Sequence, residues 1–186
     1  MKHIRMILIC ALALLLFCAP GFAQKAAAEG DYAFPDVYEE EPEDIILPAM
    51  EMYSWFTISP LDVDPEMPGG DGSVFRVADE MLCSYDTMMR LLDFTFSPEL
   101  VEEMFAYGRY TVIDGCLYGT AGGRGVDPLI SEVIYEETQR SAEKIVYTVT
   151  VNYYGEGENA MEPHVLEFVR EQINGLWVFT HFPFFW

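Results

Sequence analysis

The sequence predicts an α+β domain in which N-terminal helices pack on one face of a curved antiparallel β-sheet meander. Two segments in the first half place apolar residues at helical spacing behind strong capping residues. The second half is dominated by segments in which apolar and polar residues alternate. An Asp-Gly pair and an Asn-Gly pair separate neighbouring strands, as the tight turns of antiparallel hairpins do.

Three helices are expected before the strands dominate. An apolar block ends at Phe56, and its helix is expected to begin around Pro48, because proline suits a first helical turn. Ser84 and Ser97 each precede an amphipathic stretch and are expected to be N-caps. Gly108 is expected to close the third helix.

Seven strands and two long loops complete the predicted domain. One face of the strand that begins at Lys144 must be core. The two alternating faces carry Ile145, Tyr147, Val149, Val151 and Tyr153 on one side and Val146, Thr148, Thr150, Asn152 and Tyr154 on the other. Residues 57–73 are rich in proline and glycine and are expected to form a loop, and 121–128 form a second, glycine-rich loop. The expected strands are 74–77, 109–113, 116–120, 129–138, 144–154, 164–173 and 176–182.

Composition indicates one acidic globular domain. The 186 residues include 10 Lys and Arg against 31 Asp and Glu, and 51% of them are hydrophobic. The apolar content is enough to build one core. A formal net charge of −21 works against any surface that binds phosphates by counterion release, so nucleic acid is not an expected partner. We expect a monomer.

The first residues have the composition of an export signal. Lys2 and Arg5 precede an apolar run, and small residues up to Ala23 then follow. We expect residues 1–23 to be a cleaved signal peptide, so that the mature chain is secreted or associated with the cell wall, without stable membrane insertion. Residues 24–44 are expected to be a flexible acidic leader, and 45–186 a single α+β domain.

Two cysteines remain after removal of such a signal. Cys83 and Cys116 could form a disulfide, because exported chains meet oxidising conditions. Two unlinked thiols are an equal alternative, because nothing in the sequence places the two Cα atoms within bridging distance.

No familiar catalytic or metal motif is present, and we expect neither enzymatic activity nor a cofactor. The sequence lacks a nucleophile elbow, and only His164 and His181 lie beyond the extreme N-terminus. A cysteine hydrolase that pairs Cys116 with His181 is a third choice. The acids from Asp62 onward lack the ligand spacing of a calcium loop, and the cysteines and histidines lack that of a zinc site.

The glycine-rich loop is the most distinctive polar feature. It leads into a strand, whereas a phosphate-binding loop opens a helix, so phosphate binding is disfavoured. Exposed loops of this kind serve in protein recognition. The alternative is that its glycines only let the chain cross the end of the sheet.

Three groups of residues resemble a known family. These are Phe75-Arg76-Val77, the run from Phe96 to Leu100, and the run from Ile113 to Tyr118 with the glycine-rich loop behind it. In this order they are similar to the exported bacterial inhibitors of cell-wall DL-endopeptidases, the IseA-like family. Over residues 74–186 the order of predicted helices and strands is similar to that of the family. Only the middle portion of this range is similar at the level of individual residues.

The resemblance implies a non-catalytic protein that occupies the active cleft of an NlpC/P60-type peptidoglycan hydrolase through an acidic surface and a protruding loop. A strongly negative protein would be steered to a cationic cleft, where loop carboxylates imitate the wall peptide. The implied contact residues are Gly122, Gly123, Arg124, Gly125 and Asp127, with Asp62, Asp64 and Asp71 as a second choice.

A binding module of the NTF2-like or cystatin-like kind is the alternative. Its helices and curved sheet would form a cone around a small molecule or peptide. The expected liners of that pocket are Tyr53, Trp55, Tyr147 and Trp177. A pocket of several hundred Å³ inside the cone would favour this alternative, and a filled core would favour the inhibitor.

Overall fold

Three helices and two four-stranded antiparallel sheets form the part of the chain that the structure describes. The structure is a computed structural model; it describes residues 40–155 and 161–185, all within one compact unit, 39–186. The predicted signal peptide and the leader up to residue 39 lie outside the described residues. The elements are α1 (Pro42–Phe56), β1 (Val63–Gly69), β2 (Val74–Val77), α2 (Tyr85–Asp93), α3 (Pro98–Ala106), β3 (Tyr110–Ile113), β4 (Cys116–Gly119), β5 (Ile130–Arg140), β6 (Lys144–Tyr153), β7 (His164–Ile173) and β8 (Leu176–His181).

The α+β class with antiparallel sheets is confirmed, but the strands divide between two sheets rather than forming one meander. The strand orders are β1-β2-β4-β3 and β5-β6-β7-β8. Strand β4 pairs with β2 on one side and β3 on the other, so neither of its edges is free for β5. The glycine-rich loop therefore connects two sheets instead of two neighbouring strands.

Part of the predicted loop 57–73 is strand β1, so that prediction is wrong for those residues. Strand β1 lies at the edge of its sheet and pairs with one neighbour only. Pro65 and Pro68, which have no N–H to donate, are tolerated in such an edge strand. The register shifts between Asp64 and Pro68. A Cβ atom on Gly69 would lie 2.4 Å from the Tyr118 ring, so glycine is required for this close approach.

Helix α1 begins at Pro42 rather than near Pro48, so the last three residues assigned to the leader are helical. Pro42 occupies the first turn, where its missing N–H costs no hydrogen bond, and Glu43 and Asp44 favour the positive end of the helix. Pro48 is tolerated inside the helix. The residues read as acidic leader thus also satisfy the rules for a helix start.

The other two helices and the tight turns are as predicted. The hydroxyls of Ser84 and Ser97 accept hydrogen bonds from Thr87 N and Leu100 N, each at 3.4 Å. In the β3–β4 turn, Asp114 and Gly115 have φ of 49° and 76°, which are left-handed conformations. Asn174 and Gly175 adopt equivalent angles in the β7–β8 turn.

The main core lies between the helices and the inner face of the β5–β8 sheet. One face of β6 is buried, as predicted, and it is the face with Tyr147, Val149 and Val151, each at 0% exposure. The segment before α3 covers the edge of β8, because Phe179 N donates to Thr95 O and Ser97 N donates to Phe179 O, both at 2.8 Å. No helix of the described residues is long and apolar enough to cross a membrane.

Candidate functional site

The glycine-rich loop lies directly against the segment that follows α1. Arg124 N donates to Ile58 O at 2.9 Å, and Gly125 N approaches the same oxygen at 3.5 Å. A Cβ atom on Gly123 would lie 2.2 Å from Ile58 O, which is too close for any side chain. Glycine at this position therefore allows two backbones to meet.

Arg109 joins the same two segments from the side. Its Nη2 donates to Thr57 O at 3.0 Å, and its Nη1 donates to Gly122 O at 3.4 Å. Because one planar guanidinium binds a carbonyl from each segment, it fixes their separation. The loop is thus exposed to solvent, but hydrogen bonds at Gly122, Arg124 and Gly125 hold it in place.

Tyr110 holds the other end of the segment. Its hydroxyl donates to Trp55 O at 3.0 Å and accepts from Leu61 N at 2.8 Å. Burial of the ring raises the pKa of Tyr110 to about 12, and the hydrogen bond from Leu61 acts in the opposite direction. The side chain therefore stays neutral and keeps donating at physiological pH.

A cleft of about 380 Å³ opens between the segment and the loop. Its loop side is formed by alanine and glycines, which leave room for an extended peptide or a protruding backbone segment. Asp62 is exposed at the cleft and supplies a carboxylate. The cleft is lined by Ile58, Ser59, Pro60, Leu61, Asp62, Val63, Ala121, Gly122, Gly123 and Gly125.

The structure brings together four of the eight residues predicted as contact residues. Gly122, Gly123 and Gly125 of the loop share the cleft with Asp62 of the second predicted group. Arg109 and Tyr110 also position the cleft, but they belong to no sequence motif and were not predicted. Their partners at the end of α1 and after it lie 49 to 55 residues earlier in the chain, and Gly122 lies 13 residues later, so no local signal could have identified them.

The other four predicted residues do not line the cleft. Arg124 is exposed on the loop, and Asp127 accepts from Leu129 N at 2.9 Å in a turn that ends the loop. Asp64 accepts from Glu66 N at 2.9 Å within β1. Asp71 accepts from Ser73 N at 3.0 Å, and hydrogen bonds from Ser73 lower the pKa of that carboxyl. Each of these three carboxylates is thus engaged with a backbone N–H two residues further along the chain.

The aromatic residues named for the alternative pocket are partly core residues. Tyr147 is fully buried and Tyr53 is 4% exposed. Tyr53 stacks on Phe182 and Phe184, with ring centroids 5.5 and 5.3 Å apart. Two of the four expected liners thus contribute to packing rather than to a cavity surface.

The cysteines and histidines form no pair among the described residues. Cys83 and Cys116 are both free thiols, although Leu117 N donates to Cys83 O at 2.7 Å and the two segments are adjacent. No hydrogen bond in residues 40–155 and 161–185 joins Cys116 to His181, and His164 Nδ1 instead meets the Tyr153 hydroxyl at 3.1 Å. In the same residues, no group of three or more potential metal ligands comes together.

Comparison with protein-family models and with curated protein sequences finds no match to this chain. The resemblance to the IseA-like inhibitors therefore stays a prediction that rests on the residues quoted for it. What the geometry establishes is an anchored, exposed, glycine-rich loop beside a cleft.

Proposed function

We propose that this protein is an exported, non-catalytic inhibitor of a cell-wall DL-endopeptidase of the NlpC/P60 type. The cleft between residues 58–63 and 121–125 would make the central contact. The observation that carries the proposal is the convergence of Asp62 with three predicted loop glycines on one exposed cleft. The IseA-like resemblance supplies the class of target.

The anchoring of the loop supports a role in binding. A loop that must be ordered on association lowers affinity, because its conformational entropy is lost at that step. Here the hydrogen bonds from Arg109 and Arg124 already hold the loop against the segment after α1. The surface is therefore prepared for a partner before contact.

The charge of the chain supports the same class of partner. A net charge of −21 accelerates encounter with a cationic cleft and slows encounter with an anionic one. Asp62 places a carboxylate at the proposed contact. The burial of Tyr53 and Tyr147 favours this proposal over the aromatic-lined binding module.

The experiment is a titration of a DL-endopeptidase that degrades purified cell walls with increasing amounts of this protein. We expect a stoichiometric loss of hydrolysis. Inhibition should be weaker at high salt, because salt screens the electrostatic attraction between the two proteins. Asp62→Asn should weaken inhibition by about tenfold, the effect of losing one charged hydrogen bond. Asp114→Asn is the matched control, because asparagine also tolerates the left-handed turn conformation there and removes the same charge.

Hydrolysis that is undiminished at every ratio of protein to enzyme would overturn the proposal. Equal weakening by Asp62→Asn and Asp114→Asn would show that net charge, and not the cleft, carries the effect. Inhibition that does not respond to salt would remove the steering mechanism alone.

A further inference from the structure

A second cleft, of about 220 Å³, lies between the start of α1 and the β7–β8 edge of the large sheet. Glu40 and Asp44 stand at its α1 side, and Arg170 of β7 lines it from the sheet. Pro48, Met52 and Phe94 provide apolar wall. It shares no lining residue with the cleft at the glycine-rich loop.

Arg170 occupies a position where the sheet otherwise carries apolar side chains. It pairs directly with Ile145 on one neighbouring strand and with Phe179 on the other. These two partners are 3% and 1% exposed, so they belong to the core face. The guanidinium carbon lies 5.6 Å from the centroid of the Phe179 ring. A charge placed among such neighbours needs compensation.

The described residues compensate that charge incompletely. Arg170 Nη2 donates to Trp177 O at 3.0 Å, but its Nε is buried and has no hydrogen-bond partner. Within residues 40–155 and 161–185, the ion pair found joins Arg140 to Glu137, and no carboxylate reaches Arg170. Arg170 is half-buried and its Nε has almost no exposed surface, so a ligand in the cleft would meet the guanidinium at its terminal nitrogens. A carboxylate bound there would neutralise a charge that the described residues leave without an ion pair.

The lining of the cleft also carries carboxylates. Glu40 and Asp44 are both exposed carboxylates, and neither comes within ion-pair distance of the guanidinium. Phe94 also lines the cleft, and its aromatic side chain is 61% exposed. An exposed ring beside Met52 and Pro48 is a surface for an apolar group of a ligand.

We propose that this cleft binds a small zwitterion, namely a free α-amino acid with an apolar side chain. Its carboxylate meets Arg170, its ammonium group meets Glu40 and Asp44, and its side chain packs against Phe94 and Met52. The volume fits, because pockets for drug-sized ligands run from about 300 to 1,000 Å³ and this cleft is smaller. The site does not depend on the proposed inhibitor function.

The experiment is an NMR titration of the ¹⁵N-labelled protein with L-leucine, followed at backbone amides and at the Arg170 Nε–H. We expect saturable shifts at the Arg170 Nε–H and at Phe94 and Thr95. Leucine methyl ester lacks the carboxylate and N-acetyl-leucine lacks the ammonium group. Each derivative should bind at least about tenfold more weakly than leucine, because each loses a charged hydrogen bond.

Two pairs of variants separate the site from general charge effects. Arg170→Gln should lower the affinity for leucine by at least about tenfold, whereas Arg90→Gln, which removes an exposed charge on α2, should not change it. Asp44→Asn should weaken binding, whereas Glu43→Gln in the same turn, outside the cleft, should leave it unchanged. Should Arg170→Gln fail to fold, Asp44→Asn and Phe94→Ser test the site with exposed residues.

Three outcomes would overturn the proposal. One is the absence of saturable shifts with leucine at the Arg170 Nε–H. The second is equal binding of leucine and N-acetyl-leucine, which would make the cleft a simple anion site. The third is equal binding of leucine and its methyl ester, which would show that Arg170 does not bind the carboxylate of the ligand.

Discussion

The two sheets differ in what their residues do. The strands of the β5–β8 sheet are six to eleven residues long, and its inner face buries Tyr147, Phe168 and Phe179. In the β1-β2-β4-β3 sheet three of the four strands have only four residues. There, glycines rather than large side chains allow close contacts, as at Gly69 against Tyr118 and Gly119 against Tyr110.

This difference separates stability from recognition. Burial of large apolar side chains supplies most of the free energy of folding, so the large sheet with the helices on it stabilises the domain. The small sheet holds the hairpin and loops that flank the cleft at the glycine-rich loop. Substitutions in the first region should therefore change global stability, and those in the second should change local structure at the cleft.

The largest expected effect is in the core of the large sheet. Phe168 is fully buried, and its ring contacts those of Phe179, Phe182 and Phe185. Phe168→Ala should lower the free energy of unfolding by about 3 to 5 kcal/mol. Val165→Ala, on the same strand but 65% exposed, should change it by less than about 0.5 kcal/mol. Chemical denaturation measures the free energy of unfolding of both variants. Equal losses would contradict the claim that the buried face of the large sheet stabilises the domain.

Tyr110→Phe removes a smaller but specific contribution. Loss of the hydroxyl leaves Leu61 N and Trp55 O without this partner, which should cost about 2 kcal/mol. Segment 58–62 should also exchange its amide hydrogens faster in the variant. A stability loss with unchanged exchange in that segment would show that Tyr110 does not position the cleft.

Tyr110 also predicts a dependence on alkaline pH. Its pKa is about 12 in the folded protein against 10.0 for the unperturbed group, so between these values the unfolded chain loses the proton first. Stability should be independent of this group below pH 10 and fall as the pH rises toward 12. Tyr110→Phe should reduce that fall without abolishing it, because burial also raises the pKa of Tyr135 to about 12. Identical alkaline profiles for the two proteins would contradict the assignment.

Apart from the exposed control Val165→Ala, the smallest expected change in global stability is at the loop. Gly123→Ala places a Cβ against Ile58 O, so the loop must move away from the segment. Because the loop is exposed and can shift, the cost should be about 1 kcal/mol, the low end for overpacking. The amide of Arg124 should lose protection, because its hydrogen bond to Ile58 breaks. Protection that is retained at Arg124 would show that the loop is not held there.

Local signals in the sequence were sufficient for α2, α3 and the two tight turns. Ser84, Ser97 and the Asp114-Gly115 pair act within a few residues of their own position, so their effects can be read without the rest of the fold. The start of α1 was misplaced because acidic residues and proline suit both a leader and a first helical turn.

The features set by distant partners could not be predicted. Strand β1 contains two prolines and is a strand only because β2 pairs with one of its edges. The division into two sheets follows from the pairing of β4 with β2, which are separated by two helices. Asp62 and the loop glycines were each predicted as contact residues, but their position around one cleft depends on the hydrogen bonds of Arg109 and Arg124.

The most direct test of the account is hydrogen exchange of this protein in the presence and absence of a cell-wall DL-endopeptidase. The account predicts slower exchange in residues 58–63 and 121–125 when the enzyme is added, with little change on the β5–β8 sheet. Protection confined to the β5–β8 sheet, or no protection anywhere at saturating enzyme, would contradict it.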